Sequence, residues 1–296
     1  MKERFIGGLL VFIGACSFGV LSSIVKTAYK AGYTLGNVTF IQNLFGMLIL
    51  WALYIVYKMT QKKQVITTPK NTKKWKVYLA GIFPGLVGIF YYQCVQLVPA
   101  SIAIILLMQY LWISVIVDFI VFKNRPSNLQ ILAIVVIILG SILAAGTLNQ
   151  DITLNLEGCL FGFLAAISYT LFIITSNRVG NELPKLQKSA LMITGACTTT
   201  LILFPPFFLM QLPLTDPLYQ WGILLALLGT VVPPFLFSLG IPKVGISLSA
   251  ILSAAELPVA VMASYFYLKE SVYFNQWIGV ILILIAIALP NIRRRS

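Results

Sequence analysis

Apolar residues recur along the chain in long runs, broken by short polar and basic stretches. A membrane-crossing helix needs about 20 predominantly apolar residues. The pattern predicts ten such helices, at 5–26, 35–57, 77–97, 100–122, 128–147, 157–177, 188–210, 218–240, 245–268 and 274–291. The expected fold is an all-α polytopic membrane protein. The first run follows Lys2 and Arg4 but is longer than the apolar core of a secretory signal and lacks a clear cleavage site, so it is read as a spanning helix.

Composition agrees with the pattern. With 59% hydrophobic and 10% charged residues and a mean hydropathy of +0.94, the chain has too little polar surface to cover a soluble globule. The net charge of +13 raises the possibility of a nucleic-acid partner, but the bases sit in short loops between apolar runs, which excludes a basic binding domain. Their distribution instead sets orientation. With the N-terminus inside, all of the 21 Lys and Arg except Lys26, Lys30 and Lys269 fall on the inner side. The positive-inside rule then predicts N-in and C-in for an even number of spans, in a multi-pass protein of the inner cell membrane. The longest polar segment, KMTQKKQVITTPKNTKKWK (58–76), is read as an orientation-setting loop that can lie against anionic headgroups of the lipid bilayer. Cys16, Cys94, Cys159 and Cys197 lie inside apolar runs without metal-type spacing, so neither a metal site nor a disulfide framework is expected.

Sliding the chain by 146 residues aligns VPASIAIILLMQYLWISV (98–115) with VGISLSAILSAAELPVAV (244–261) without a gap. Ser101 meets Ser247 and Leu111 meets Leu257; beyond the helix ends, Lys123 meets Lys269 and Gln130 meets Gln276. The paired Lys and Gln carry the most weight, because apolar identities alone arise readily in membrane helices. Two five-helix repeats follow, 1–150 and 151–296. Since five is odd, the second enters the membrane in the opposite sense. Such inverted repeats put a solute site near the bilayer midplane, between the halves.

These segments resemble the EamA-type family of the drug/metabolite transporter superfamily. The marks are CSFGVLSSIVK (16–26), the pair VPASIAIILLMQYLW (98–112) and ISLSAILSAAELPVAV (246–261), and the tails FKNRPSNLQILAIVVIILG (122–140) and LKESVYFNQWIGVILILIA (268–286). The resemblance covers nearly the whole chain and implies ten helices from a duplicated five-helix unit. Glu270 matches an acid the family often carries after the ninth helix, Asn124 stands at the first-half counterpart, and Gln42 stands where the family commonly has Arg. The resemblance also implies export of amino acids or similar small metabolites. Import or facilitated passage of a sugar, vitamin or nucleotide-like solute is the alternative within transport. A non-transporting membrane assembly partner is the alternative outside it, and solute flux in liposomes separates the two classes.

An ionisable side chain inside a span costs about 2.5–3.5 kcal/mol on insertion scales, so each is a functional candidate. Two occur, Glu256 and Asp118. Glu256 lies midway along the ninth run, and its repeat partner is Tyr110, next to Gln109. Symmetric packing of the repeats predicts that Tyr110 and Glu256 face one cavity from opposite halves. Two roles stay open for the acid: solute or proton binding, with protons as the coupling ion, or a hydrogen bond to a neighbouring helix near Pro258, which leaves a carbonyl without its donor. Asp118 is expected at the inner interface, paired with Lys123 or Arg125. Further cavity candidates are Ser17, Ser22, Gln42, Asn43, Tyr91, Tyr92, Gln93, Trp112, Ser168, Tyr169 and Asn177, whose amides, hydroxyls and aromatic faces suit a small-molecule substrate. Each is also a candidate for interhelical hydrogen bonding. Pro84, Gly85 and Gly88 in the third run, and Gly229, Pro233 and Pro234 in the eighth, mark possible hinges.

No P-loop, no Gly-x-Ser-x-Gly, no Cys-x-x-Cys and no His occurs. Energy must then come from an ion or solute gradient rather than ATP. Two separated acids with neither nucleophile nor metal cluster do not make a reaction site, so an enzyme and a bound cofactor are not expected.

Overall fold

The computed structural model describes residues 2–60, 73–98, 100–144, 155–210, 212–213, 215–267, 269 and 272–292. Most of the polar loop (61–72), Asp151, Glu270, Arg293, Arg294, Arg295 and the Ser22 side chain lie outside the described part.

The chain is all-α, with no strand among the described residues. In order the helices are α1 (Lys2–Lys30), α2 (Leu35–Thr60), α3 (Lys74–Ala80), α4 (Ile82–Leu97), α5 (Ala100–Leu107), α6 (Tyr110–Phe122), α7 (Asn128–Ala144), α8 (Leu156–Arg178), α9 (Lys185–Leu203), α10 (Pro217–Leu225), α11 (Val232–Val244), α12 (Ile246–Ser253), α13 (Glu256–Phe266) and α14 (Phe274–Ile292). The described residues of the ten apolar runs are mostly helical, and some runs hold two helices in line. Among the described residues, seven stretches are long and apolar enough to cross a membrane, with two shorter apolar helices, Asn128–Ala144 and Phe274–Leu289.

The interruptions have local causes. Pro84 offers no N–H to the carbonyl of Ala80, and α3 gives way to α4 at Gly81. Pro233 and Pro234 remove two consecutive donors, and the backbone before them, Ala226–Val231, widens into a π-helix. There the Val232 N–H bonds the Leu227 carbonyl. The Leu228 carbonyl would next need a donor from Pro233, which has none, and Ser17 Oγ of α1 donates to it instead at 2.7 Å.

Two further breaks fall 146 residues apart, at Met108–Gln109 between α5 and α6 and at Ala254–Ala255 between α12 and α13. Beyond them Lys123 and Lys269, also 146 apart, share left-handed backbone at φ 58° and 57°. The next helices start alike. Gln130 Oε1 accepts the Ser127 N–H, and Gln276 Oε1 accepts the Tyr273 N–H, both at 2.8 Å.

Helices cross where glycine removes the side chain. A Cβ on Gly240 would sit 2.6 Å from the Gly7 carbonyl oxygen, one on Gly195 2.0 Å from that of Tyr78, and one on Gly279 2.5 Å from that of Gly140. These crossings tie α11 to α1, α9 to α3, and α14 to α7, so backbones rather than side chains set the spacing.

The two ends of the bundle differ. At the end bearing the N-terminus, Lys243 pairs with Glu3, Asn177 Nδ2 donates to the Ile241 carbonyl at 3.1 Å, and the Arg178 guanidinium stacks 4.1 Å above the Phe122 ring. Asp118 is also here, with partners other than the expected Lys123 or Arg125. Its Oδ2 accepts from Ser247 Oγ at 2.5 Å and from the Ser247 N–H at 3.3 Å, and its Oδ1 accepts from Asn124 Nδ2 at 2.9 Å. It thereby meets an orphan donor in the first turn of α12, where a negative charge is favoured by the helix dipole. The opposite end holds a wide vestibule lined by Tyr33, Asn37, Gln93, Gln96, Phe204 and neighbours.

Candidate functional site

A cavity lies among α1, α2, α4, α8, the π-helix, α11 and α13. α1 supplies Phe18, Gly19 and Leu21; α2 supplies Thr39, Gln42 and Asn43; α4 supplies Pro84, Val87, Gly88, Tyr91 and Tyr92. From the second half come Tyr169 and Phe172 of α8, Gly229 and Thr230 of the π-helix, Pro234 of α11, and Glu256 and Ala260 of α13. Its walls are mostly apolar with a few convergent polar groups, as in small-molecule sites.

Glu256 stands at the break that opens α13, ten residues into the run from Ile246, or about 15 Å along the helix. It is 8% exposed, and its Oε2 has no hydrogen-bond partner. The Tyr91 and Tyr169 hydroxyls are also buried without a partner, and Tyr169 lies beside Ser253 without reaching good hydrogen-bond geometry. Unmet polar groups of this kind cost stability when buried, which marks the cluster as a site kept for something else.

Gln42 is held more firmly. Its Oε1 accepts from Tyr92 Oη at 3.1 Å, and its backbone carbonyl accepts from Thr230 Oγ1 at 3.2 Å. Gly46 makes room for that contact, since a Cβ there would lie 2.0 Å from Thr230 Oγ1. Gly19 does the same for the acid's backbone: a Cβ would come within 2.4 Å of the Glu256 carbonyl oxygen.

Of the residues singled out from sequence, Glu256, Gln42, Asn43, Tyr91, Tyr92 and Tyr169 meet at this cavity. Tyr110, expected to face it, is fully buried outside its wall. Its ring centroid is 4.5 Å from that of Tyr169, and its hydroxyl donates to the Ala250 carbonyl at 3.3 Å. Gln109 donates to the Ile105 carbonyl at 2.9 Å and accepts from Trp112 Nε1 at 2.8 Å, so the two hold each other and the break. Ser17 serves the π-helix, Asn177 the closed end, and Gln93 the vestibule. At the vestibule rim Tyr33 Oη donates to Asp216 Oδ1 at 2.7 Å; desolvation first, then that carboxylate, holds the phenol above its ordinary pKa. Sequence reasoning missed Thr39, Thr230, Phe18 and Phe172 as wall residues. Thr230 adjoins the flagged Gly229, and Phe18 lies inside CSFGVLSSIVK, but nothing in the pattern of their runs turned them inward.

Helical among its described residues, with seven stretches long and apolar enough to cross a membrane and a mostly apolar cavity among them, the chain has the architecture of a polytopic membrane protein. The EamA-like transporter family matches it twice, over residues 5–146 and 156–292, and the chain belongs to that family. An uncharacterised transporter of Bacillus subtilis (strain 168), YcbK, is 24% identical over 94% of this chain and 90% of its own length. An uncharacterised transporter of Synechocystis sp., sll1319, is 25% identical over 99% and 95%. A solved crystal structure superposes with a TM-score of 0.76 at 14% identity, covering 100% of this chain and 99% of the other, which shows the fold alone.

Proposed function

We propose that the chain is a secondary transporter of the inner cell membrane that exports amino acids or similar small metabolites by alternating access of two inverted five-helix halves, residues 1–150 and 151–296. The observation that carries this reading is the cavity walled by helices from both parts of the chain, with one carboxyl, Glu256, whose Oε2 lacks a partner. The matched breaks at Met108–Gln109 and Ala254–Ala255, the matched left-handed lysines and the doubled family match support the repeat. Pairing of α1 with α11 and of α4 with α8, and self-pairing of α2 with α9 and α7 with α14, is what a two-fold between the halves demands.

In this reading the basic, N-terminal end faces the cytoplasm and is closed by the contacts of Asp118, Asn177 and Lys243, while the vestibule faces outward. Alternating access breaks those contacts and closes the vestibule. Protons are the coupling ion, carried by Glu256. Purified protein in liposomes should move a solute down an imposed gradient and faster with an opposing proton gradient; absence of any solute-dependent flux across a metabolite panel overturns the reading.

A further inference from the structure

We infer that the solute held in this cavity is an organic monocation, a protonated amine that brings no carboxylate with it; the inference rests on reading the cavity as the transport path and narrows its solute to small metabolites other than free amino acids. Among the described residues lining the cavity there is one carboxylate, Glu256, and no Lys or Arg. In a low-dielectric wall a single negative charge favours one positive charge, and a second carboxylate brought in by the solute would meet it with like sign.

Nor does the site offer an anion a backbone cradle. The helix start at Glu256 would ordinarily present free N–H groups. Here the Leu257 N–H bonds the Ala254 carbonyl at 3.2 Å, Pro258 has none, and the Val259 N–H bonds the Ala255 carbonyl at 3.4 Å. The fully buried side-chain atoms that line the cavity without a partner are instead acceptors or dual in character. Glu256 Oε2 lacks a partner. The Tyr91 and Tyr169 hydroxyls can accept as well as donate. An ammonium with three N–H groups matches this set, and the rings of Phe18, Tyr91 and Tyr169 provide faces for its positive charge and apolar stem.

The same carboxyl can hold a proton or the ammonium but not both, so loading one displaces the other. The titratable groups that face Glu256 are phenols: Tyr91 and Tyr92 of α4, Tyr110 of α6 and Tyr169 of α8. α1 presents Phe18 and Gly19 at the cavity, and α7 and α14, packed against α13, carry no charged residue in their described lengths.

A matched trio tests this on the purified full chain in detergent: 3-methylbutylamine, leucine and 3-methylbutanol, which share a branched stem and differ in charge. By calorimetric titration the amine should bind at least tenfold tighter than either of the others. Glu256→Gln, close in shape, should weaken the amine at least tenfold and leave the alcohol unchanged. Leucine binding as tightly as the amine, no binding by any of the three, or an amine affinity unaltered by Glu256→Gln each overturns the inference. The ranking on the parent protein needs no variant, so a poorly folding Glu256→Gln does not shield the idea. Flux of amino acids without amine preference in liposomes overturns the inference and keeps the transport reading; amine binding without flux of any solute overturns the transport reading beneath it.

Discussion

The break between α5 and α6 and the break between α12 and α13 have one backbone shape and two chemistries. In both, donors shift to the tighter i−3 pattern: Gln109 N–H to the Leu106 carbonyl at 3.2 Å, and Ala255 N–H to that of Leu252 at 3.3 Å. In the first half the freed Ile105 carbonyl is met by the Gln109 side chain, and the following Tyr110 is spent on α12. In the second half Pro258 removes the donor that would have come to Ala254, and the Leu257 N–H meets that carbonyl instead. No side chain is spent on the break, and Glu256 is left with an idle oxygen in the cavity. The difference teaches that the break recurs as a backbone shape, while only the break held by backbone and proline alone leaves a polar side chain idle at the cavity.

The sharpest way to break that contrast is to fill the space behind the acid. Gly19→Val puts a Cβ 2.4 Å from the Glu256 carbonyl oxygen and 2.7 Å from Val259 Cβ, both on α13 and one of them backbone. Overpacking of this kind costs about 1–3 kcal/mol or more, so the variant should show a clearly lowered melting temperature and lose flux. Unaltered stability and flux would show that α1 and α13 are not in contact as described.

Glu256→Gln comes next, and it acts on function rather than stability. Flux and its dependence on a pH gradient should drop at least tenfold, with thermal stability equal or higher because a buried charge is removed. Parent-like flux and pH dependence would make the acid structural.

Asp118→Ala removes the acceptor for Ser247 and Asn124 at the closed end. Losing an acceptor from buried donors costs about 1–3 kcal/mol, and here it should be read as a lowered melting temperature together with greater solvent access to cysteines placed near Ser247. Tyr110→Phe loses one hydrogen bond, to the Ala250 carbonyl, worth about 1 kcal/mol, and should leave flux intact. If Tyr110→Phe impairs flux as deeply as Glu256→Gln, the asymmetry between the two breaks is wrong.

The helices were legible because a bilayer-length apolar run admits few other structures, and the 146-residue offset was legible from Lys and Gln outside the membrane run. The break at Met108–Gln109 was not. MQY has neither proline nor glycine, and its cause is a Gln side chain turning back on its own helix. Glu256, Gln42 and the aromatic pair Tyr91–Tyr92 could be nominated for the site because polar groups in apolar runs stand out. Tyr110 was nominated on symmetry and is spent elsewhere. The partner of Asp118, Ser247, is 129 residues away and no local pattern announces it.

The π-helix before Pro233 stores one residue of slack. If that residue were drawn back into α geometry, the Val232 N–H would take the Leu228 carbonyl now held by Ser17, and the helix from Pro217 would swing by about a quarter turn against the part after Pro234. Gly229 and Thr230 would leave the wall, and Gln42 would lose a neighbour. Returned to α geometry, that rod would turn and also lengthen by about 1.5 Å, one residue's rise, at the point where the Ser17 hydroxyl now holds the Leu228 carbonyl.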